Sequence, residues 1–376
     1  MTYDLAVVGA GIVGLAHALA AASRGLSVVV IDRDAQANGA SIRNFGLVVV
    51  SGEEPGRQRR LAERSREIWL EVARPAGIEV LHTGLLAVAQ RPEALALLEA
   101  FAASESGAGC TLLSQEELGR RQGGLNLGNL RGGLLSPAEI RIESREAIPR
   151  IAAYLEGELK VDFRFATTVS GVSPPVVETS SGPIRAGKVV VCPGDDLTGL
   201  FPELIARHEV QRCKLQMLRL APSGLRLASA VVSDLSLVRY PGYALLPEAS
   251  ALRARLEDDS AEALRNGVHM IAVQSADGSL VVGDSHHYGK TPDPFGSEAV
   301  DALILREFGA VFAKSPTVSR ALDRHLRLRT GARAFPRAGG RRCPSRDDHQ
   351  RHRRQHGFRH WRGNHKRAIQ LKRPAA

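Results

Sequence analysis

The chain has 376 residues, with 50 Lys and Arg against 40 Asp and Glu, which is enough for about two domains with real cores. Its net charge of +10 belongs to one end: residues 333–376 hold 14 basic and 2 acidic groups, a balance of +12, and the first 332 hold 36 and 38, or −2. A polyanion-binding face spread over the body is therefore excluded.

No run of about 18 uncharged apolar residues exists and no basic leader precedes Leu5, so neither a membrane span nor a secretory signal is expected. Cys110, Cys192, Cys213 and Cys343 have no metal or redox spacing among them. They read as reduced thiols of a cytoplasmic protein.

Along the chain, "YDLAVVGAGIVGLAHALAAASRGLSVVVIDRD" carries the first signal. Leu5–Val8 read as a short buried strand. Val13–Ser23 read as a helix, with Gly25 suited to a left-handed cap. Ser27–Ile31 form a continuous apolar strand, as expected where both faces are covered. Gly9, Gly11 and Gly14 give the G-x-G-x-x-G spacing: a tight turn, a close approach of backbone to a diphosphate, and close helix packing. The helix start, with the amides of Ile12 and Val13, offers unpaired N–H groups and partial positive charge to phosphate. Asp32, which ends the second strand, can accept hydrogen bonds from ribose hydroxyls and disfavours a 2′-phosphate. Arg33 beside it joins the candidate cofactor set. A dinucleotide is expected here.

"GASIRNFG", residues 39–46, follows. Here the chain resembles the flavoprotein family of D-amino-acid oxidase, glycine oxidase and sarcosine oxidase, and the resemblance runs to about residue 332. The family's Ser-x-x-Asn-x-Gly-like loop passes the pyrophosphate toward the flavin ring, and Ser41, Asn44 and Gly46 match it. The resemblance implies FAD as cofactor. It also implies an α/β fold: a Rossmann-like FAD-binding domain with a parallel sheet, plus an antiparallel-sheet α+β substrate domain. Arg43 shares the loop and faces phosphate or substrate, or forms a surface ion pair.

"HTGLLAVAQRPEALALLEAF" looks like the family's strand-then-helix entry into the substrate domain, and "GGLLSPAEIRIESREAIPRIAAYL" like the return. "VDFRFATTVSGV" reads as two strands, and the resemblance makes Val169 a candidate adenine contact. In "GKVVVCPGDDLTGLFPEL" an apolar strand is broken by Pro193 and Gly194, and a helix start follows. The resemblance raises Pro193 and Gly194 to cofactor contacts. The implied units are a discontinuous FAD-binding domain (1–80, 140–208, 322–335), a substrate domain (81–139, 209–321) and a basic tail (336–376).

Residues 210–290 read as an antiparallel, mostly β region, including "LVRYPGYALLPE" (237–248), with a hairpin turn at Asp277–Gly278. In the family such strands carry substrate contacts. Arg239, Tyr240, Tyr243, His286 and His287 are the candidate catalytic or substrate residues, with each tyrosine alternatively a core residue whose hydroxyl is satisfied. Adjacent histidines on a strand point to opposite faces, so at most one meets a ligand. No third ligand sits at a useful spacing, and no metal site is expected. "GSEAVDALILREFGAVF" reads as an amphipathic helix, and "DRHLRLRTGARA" resembles a late strand returning to the cofactor domain.

The implied reaction is oxidation of a C–N bond in a small amine or amino acid, with hydride passing to FAD and the imine then hydrolysed. Arg239 or Arg43 would bind an anionic substrate group, and oxygen would reoxidise the flavin. Within the family the likeness is to a bacterial subgroup sometimes linked to aminophosphonate breakdown. A dehydrogenase passing electrons to a quinone or carrier is the alternative. No second glycine fingerprint for a nicotinamide nucleotide is present.

Past Phe335 apolar periodicity ends, where the family has a strand, a glycine-rich turn and a last helix. Read one base further along, allowed codons turn 350–355 into N-V-I-V-V-S and 356–366 into T-G-F-G-I-G-A-G-I-T. The tail therefore reads as a frame-shifted product, which would leave an inactive flavoprotein. RNA binding through its arginines is the remote alternative, since only Phe358 and Trp361 offer stacking.

Overall fold

The computed structural model describes residues 2–313 and 317–329. The tail 336–376, with its frame-shift and RNA-binding readings, and residues 330–335 lie outside the described residues.

The first unit begins β1 (Thr2–Val8), α1 (Ile12–Ala22) and β2 (Val28–Ile31). All four residues of β2 are buried, as an uninterrupted Val-Val-Val-Ile run demands. Gly25, at φ +76°, ends the α1 turn. The chain then passes through β3 (Leu47–Val48) and α2 (Arg57–Ala73) into β4 (Val80–Ala89), α3 (Pro92–Ala103), β5 (Thr111–Ser114) and α4 (Gln115–Arg121). It returns by β6 (Gly132–Ile142) and α5 (Ser144–Gly157) to β7 (Asp162–Arg164), β8 (Val169–Ser173), β9 (Val176–Thr179) and β10 (Ile184–Val191).

One sheet has the order β7-β2-β1-β10-β9-β8. Its first four strands run parallel, and β9 and β8 are antiparallel. Helices α1, α2 and α5 bury Leu15, Ala18, Trp69, Ile148 and Ile151 against one face. A smaller apolar layer of Tyr3, Ala6, Val29, Ile31 and Val177 forms on the other. Parallel pairing with a crossover helix puts the glycine turn at the carboxyl ends of the strands, where ligands of such sheets bind.

The remainder is α6 (Pro202–Ala206), β11 (Val210–Leu220), β12 (Ala230–Val232), α7 (Asp234–Leu237), α8 (Pro241–Ala244), α9 (Ala249–Asp259), α10 (Ala261–Arg265), β13 (Ile271–Gln274), β14 (Leu280–Gly283), β15 (His287–Gly289), α11 (Glu298–Val311) and β16 (Val318–Arg329). The second sheet has the order β15-β11-β14-β13-β12-β4-β6-β3, with β16 on β11 and β5 on β6. It is antiparallel except for β12 beside β4. Leu86, Leu97, Phe101, Leu218, Val231, Val273 and Phe308 belong to its core. No helix among the described residues is long and apolar enough to cross a membrane.

Two expectations are corrected. Residues 237–248 are not β: α7 ends at Leu237 and α8 spans Pro241–Ala244. Pro241 starts α8, where its missing N–H costs nothing. Asp234, fully buried at the start of α7, accepts from the Gln90 amide at 2.9 Å and Arg91 at 3.0 Å. The late strand does not join the cofactor sheet over residues 318–329. It pairs along all of β11, from Leu220↔Val318 to Val210↔Arg329, covering an edge that would otherwise leave a long row of backbone groups open. The helix start expected past Gly194 is α6, at Pro202.

Candidate functional site

The end of β1 turns at Gly9, whose φ is +107°. A Cβ there would lie 2.3 Å from the Cys192 carbonyl oxygen, because the turn threads against the end of β10, where the Cys192 amide donates to Val8 at 2.7 Å. At Gly14 a Cβ would come 1.8 Å from the Gly9 carbonyl, so α1 rests directly on the turn. Gly11 differs: among the described residues only Ser41 Oγ comes near its would-be Cβ, at 3.1 Å. Helix α1 has no side-chain N-cap and no acid in its first turn, and its Ile12 amide donates to Ser41 Oγ at 3.0 Å. Val13 lies in the same first turn. No acid of the helix's own first turn offsets its positive end.

Asp32 closes the turn from the far side. One carboxylate oxygen accepts from the Ala10 amide at 2.6 Å and the other from the Asp34 amide at 2.9 Å. A carboxylate offers about four acceptor positions, so each oxygen keeps capacity for another donor. Arg33 is exposed and pairs with Asp196 at 3.2 Å, tying β2 to the loop that Pro193 and Gly194 open; Gly194 has φ +60°. Val169 starts β8 and packs on the Val29 and Ile31 layer, while the Thr167 amide donates to the Asp32 carbonyl at 2.9 Å.

The 39–46 loop is held by its own asparagine. Asn44 donates to the carbonyls of Ala40 and Ser41 at 3.0 and 2.8 Å, and its oxygen accepts from the Gly46 amide at 2.7 Å. Gly46 sits at φ +65°, with the Ile142 carbonyl 1.8 Å from where a Cβ would be. Arg43 is half-buried in this loop. Beyond it, buried Glu139 accepts from the amides of Val50 and Ser51 at 3.2 and 2.7 Å, which lays residues 46–52 along the second sheet toward α8.

There the second set of candidates divides. Tyr243 belongs to the core: it is 1% exposed, its ring lies 4.5 Å from Phe101, and its hydroxyl meets Ser51 Oγ at 2.9 Å. Burial pushes its phenol far above the ordinary value, with Glu139 adding to the effect. It is therefore withdrawn from the substrate set. The physical reason is the short helix: Gly242 abuts the Ser51 carbonyl, 2.2 Å from its would-be Cβ, and turns the next residue inward. Tyr240 is also buried, edge-on to His269 with ring centroids 5.9 Å apart. Arg239 donates to the Tyr288 hydroxyl at 3.2 Å.

β15 begins only at His287, and His286 and His287 meet different partners. His287 meets Asn266 Oδ1 at 3.1 Å through Nε2. His286 stacks on His269 at 5.3 Å, donates from Nδ1 to the Gly267 carbonyl at 3.0 Å, and has Asp284 Oδ1 3.8 Å from the same nitrogen. His269 Nε2 lies 2.8 Å from Asp284 Oδ1, off the line of a well-formed hydrogen bond. Its Nδ1 meets Ser236 Oγ at 3.1 Å.

Burial raises Asp284, but His286, His269 and Arg239 outweigh it and hold the carboxyl below the usual carboxylate range. Burial lowers both histidines, with Asp284 opposing. The balance is one buried anion between two neutral imidazoles.

Sequence spacing missed His269, Asp284, Ser236 and Tyr288. A usable signal existed: counted outward from the Asp277–Gly278 turn, the register Gln274↔Leu280 to Ile271↔Gly283 brings Met270 opposite Asp284 and His269 next to it. The fold thus supplies the third group that sequence spacing lacked, with the three donor atoms within 4.8 Å of one another. With Nδ1–H of His286 given to Gly267, only its Nε2 could serve a metal; the contacts that hold the cluster among the described residues are hydrogen bonds and the approach of Asp284.

A family model described as FAD dependent oxidoreductase (DAO) matches residues 4–364. The bifunctional protein ThiO/ThiG of Nostoc sp. is 26% identical over 231 residues, covering 58% of this chain and 35% of that protein. The chain thus spans about a third of the curated relative it matches. Among solved structures, glycine oxidase from Bacillus cereus superposes with a TM-score of 0.69 at 16% identity, covering 87% of this chain and 84% of that one. L-α-glycerophosphate oxidase from Mycoplasma pneumoniae with FAD bound gives 0.68 at 16%, covering 88% and 84%. L-proline dehydrogenase from P. horikoshii gives 0.67 at 18%, covering 86% and 81%. At these identities the likeness is one of fold.

Proposed function

This chain belongs to the DAO family of FAD-dependent oxidoreductases, and from that premise we propose that it oxidises the C–N bond of a small amine or amino acid, the imine product then being hydrolysed. The observation that carries the reading is the cradle. Among the described residues, Gly11 leaves only Ser41 Oγ, 3.1 Å from where its Cβ would be, between the backbone and the start of α1, and Asp32 stands across the turn. These residues fit the cofactor: the amides of Ile12 and Val13 with Gly9, Gly11 and Gly14 take the diphosphate, and Asp32 the ribose. Arg33, Val169, Pro193 and Gly194 border the nucleotide, and the Ser41, Asn44 and Gly46 loop leads toward the ring. FAD, when bound, supplies the acceptor for the hydride that leaves the carbon next to nitrogen.

The chain's own task is to orient that carbon, which must lie about 3–3.5 Å from the accepting atom. Arg239 is the cation for a carboxylate or phosphonate on the substrate, with Tyr240, His286 and Tyr288 around it and Arg43 as the other cation near the loop. A glycine oxidase and an L-proline dehydrogenase among the similar folds agree with a small amine or amino acid as substrate.

The absorption spectrum of the purified full-length protein, followed by anaerobic bleaching with amines, amino acids and aminophosphonates, tests the reading. Flavin bands that bleach with one class support it. Retained flavin that no amine reduces overturns it. Peroxide release in air assigns oxygen as acceptor; its absence, with dye or quinone reduction, assigns a dehydrogenase. A colourless protein that takes up no added FAD favours the frame-shifted, inactive reading of residues 336–376, which the gene's nucleotide sequence decides separately.

A further inference from the structure

We propose that His286 takes the proton that the substrate's ammonium group must lose before its C–N bond can be oxidised, with Asp284 and His269 as positioning residues behind it. This rests on the amine reading above. An ammonium nitrogen has no lone pair with which to form C=N, so some acceptor must remove one proton first.

The tautomer of His286 is set by its partner. Its Nδ1 lies 3.0 Å from the Gly267 carbonyl oxygen, and a carbonyl only accepts. Nδ1 therefore carries the hydrogen, and the lone pair of the neutral ring is on Nε2. Among the described residues no hydrogen bond reaches that Nε2. Asp284 Oδ1 stands 3.8 Å behind Nδ1, placed to stabilise the imidazolium once the proton arrives. The same oxygen is 2.8 Å from His269 Nε2, and Ser236 Oγ on His269 Nδ1 at 3.1 Å fixes that ring.

The groups around His286 come from several elements. Its own segment supplies Asp284, His287 and Tyr288, and the start of β13 supplies His269. The α7–α8 link supplies Arg239, with Tyr240 behind His269. From β11, Cys213 acts on Tyr288 and Lys214 on His287. Burial, then Arg239, lowers His286 against the opposing pull of Asp284, so the ring is an acceptor at neutral pH.

In the step, an N–H bond of the substrate breaks and one forms at Nε2. The positive charge moves from ammonium to imidazolium, the nitrogen keeps its electron pair, and nothing is oxidised. Arg239 beside His286 makes the fitting substrate a zwitterion, its acid group on the guanidinium and its ammonium toward the imidazole.

The test uses the full-length protein labelled with ¹⁵N-histidine. His286→Asn identifies the signal and keeps an amide donor toward Gly267. Expected is the Nδ1–H tautomer for neutral His286; the Nε2–H tautomer, a ring protonated at neutral pH, or one tightly bound metal ion per chain overturns the proposal. In the holoenzyme, the acid limb of kcat/KM should follow the His286 pKa seen by NMR. His286→Asn should lower kcat/KM at pH 7 about a hundred-fold. The limb should move up to the substrate's own amine pKa, about 10 for an alkylamine such as a lysine side chain. A variant profile parallel to the wild type overturns the proposal. A holoenzyme that no amine reduces at any pH overturns the amine reading and this step with it, whereas a wrong tautomer overturns this step alone.

Discussion

The glycine cradle and the His269–Asp284–His286 cluster sit in the same chain and are built by opposite means. The cradle is backbone. Gly9 and Gly14 are fixed by carbonyls 2.3 and 1.8 Å from where a Cβ would be, and all but Asp32 and the 39–46 loop come from six consecutive residues. The cluster is side chain, drawn from the residues just before β13 and the link between β14 and β15, with Arg239 beside it from the link between α7 and α8. A backbone site tolerates loss of side chains and not their addition; a side-chain site behaves the other way round.

Adding one carbon to the backbone site is expected to have the largest effect. Gly46→Ala combines positive φ with a carbonyl 1.8 Å away, and should cost about 3–6 kcal/mol in chemical denaturation. A loss under about 1 kcal/mol would show that the loop yields and would break the contrast. Asp284→Ala removes the one anion between two buried imidazoles and should cost about 3 kcal/mol, read by the same denaturation. Indifference there would mean that the cluster is not coupled.

A third test exploits pH. Burial lowers His82 to about 4 from 6.5, with Arg141 contributing. Unfolded chain therefore binds a proton at this site where folded chain does not. The stability that neutral His82 contributes is present above about pH 6.5 and is lost as pH falls toward 4. His82→Gln should flatten the Tm profile across that window, and an unchanged slope would refute it. The smallest effect belongs to Ser41→Ala. It removes the acceptor of the Ile12 amide and should cost about 1 kcal/mol, with the amide left for solvent or phosphate. A loss as large as that of Gly46→Ala would erase the difference between the two kinds of site.

How much could be read beforehand follows the same division. The β1–α1–β2 unit, Gly25, the Asp277–Gly278 turn and α11 are legible because each is specified by residues close in sequence. Residues 237–248 misled because aromatic and apolar residues there mimic strand composition, while Pro241 and the buried Asp234 impose helical turns. Tyr243 had the composition of a site residue, yet Gly242 against the Ser51 carbonyl turns it into the core. The late strand followed β11 because an eleven-residue edge needs pairing.

By itself the sequence determined the β1–α1–β2 unit and its glycine turn, because the apolar runs, the glycine spacing and the Gly14–Gly9 backbone contact all lie close together in the chain. Only the tertiary structure decided which polar groups share a charge. Asp284 meets two histidines and Arg239 because sheet register and two short helices converge there, and the electrostatics of a buried carboxylate depend on what surrounds it in space, not on what precedes it in the chain.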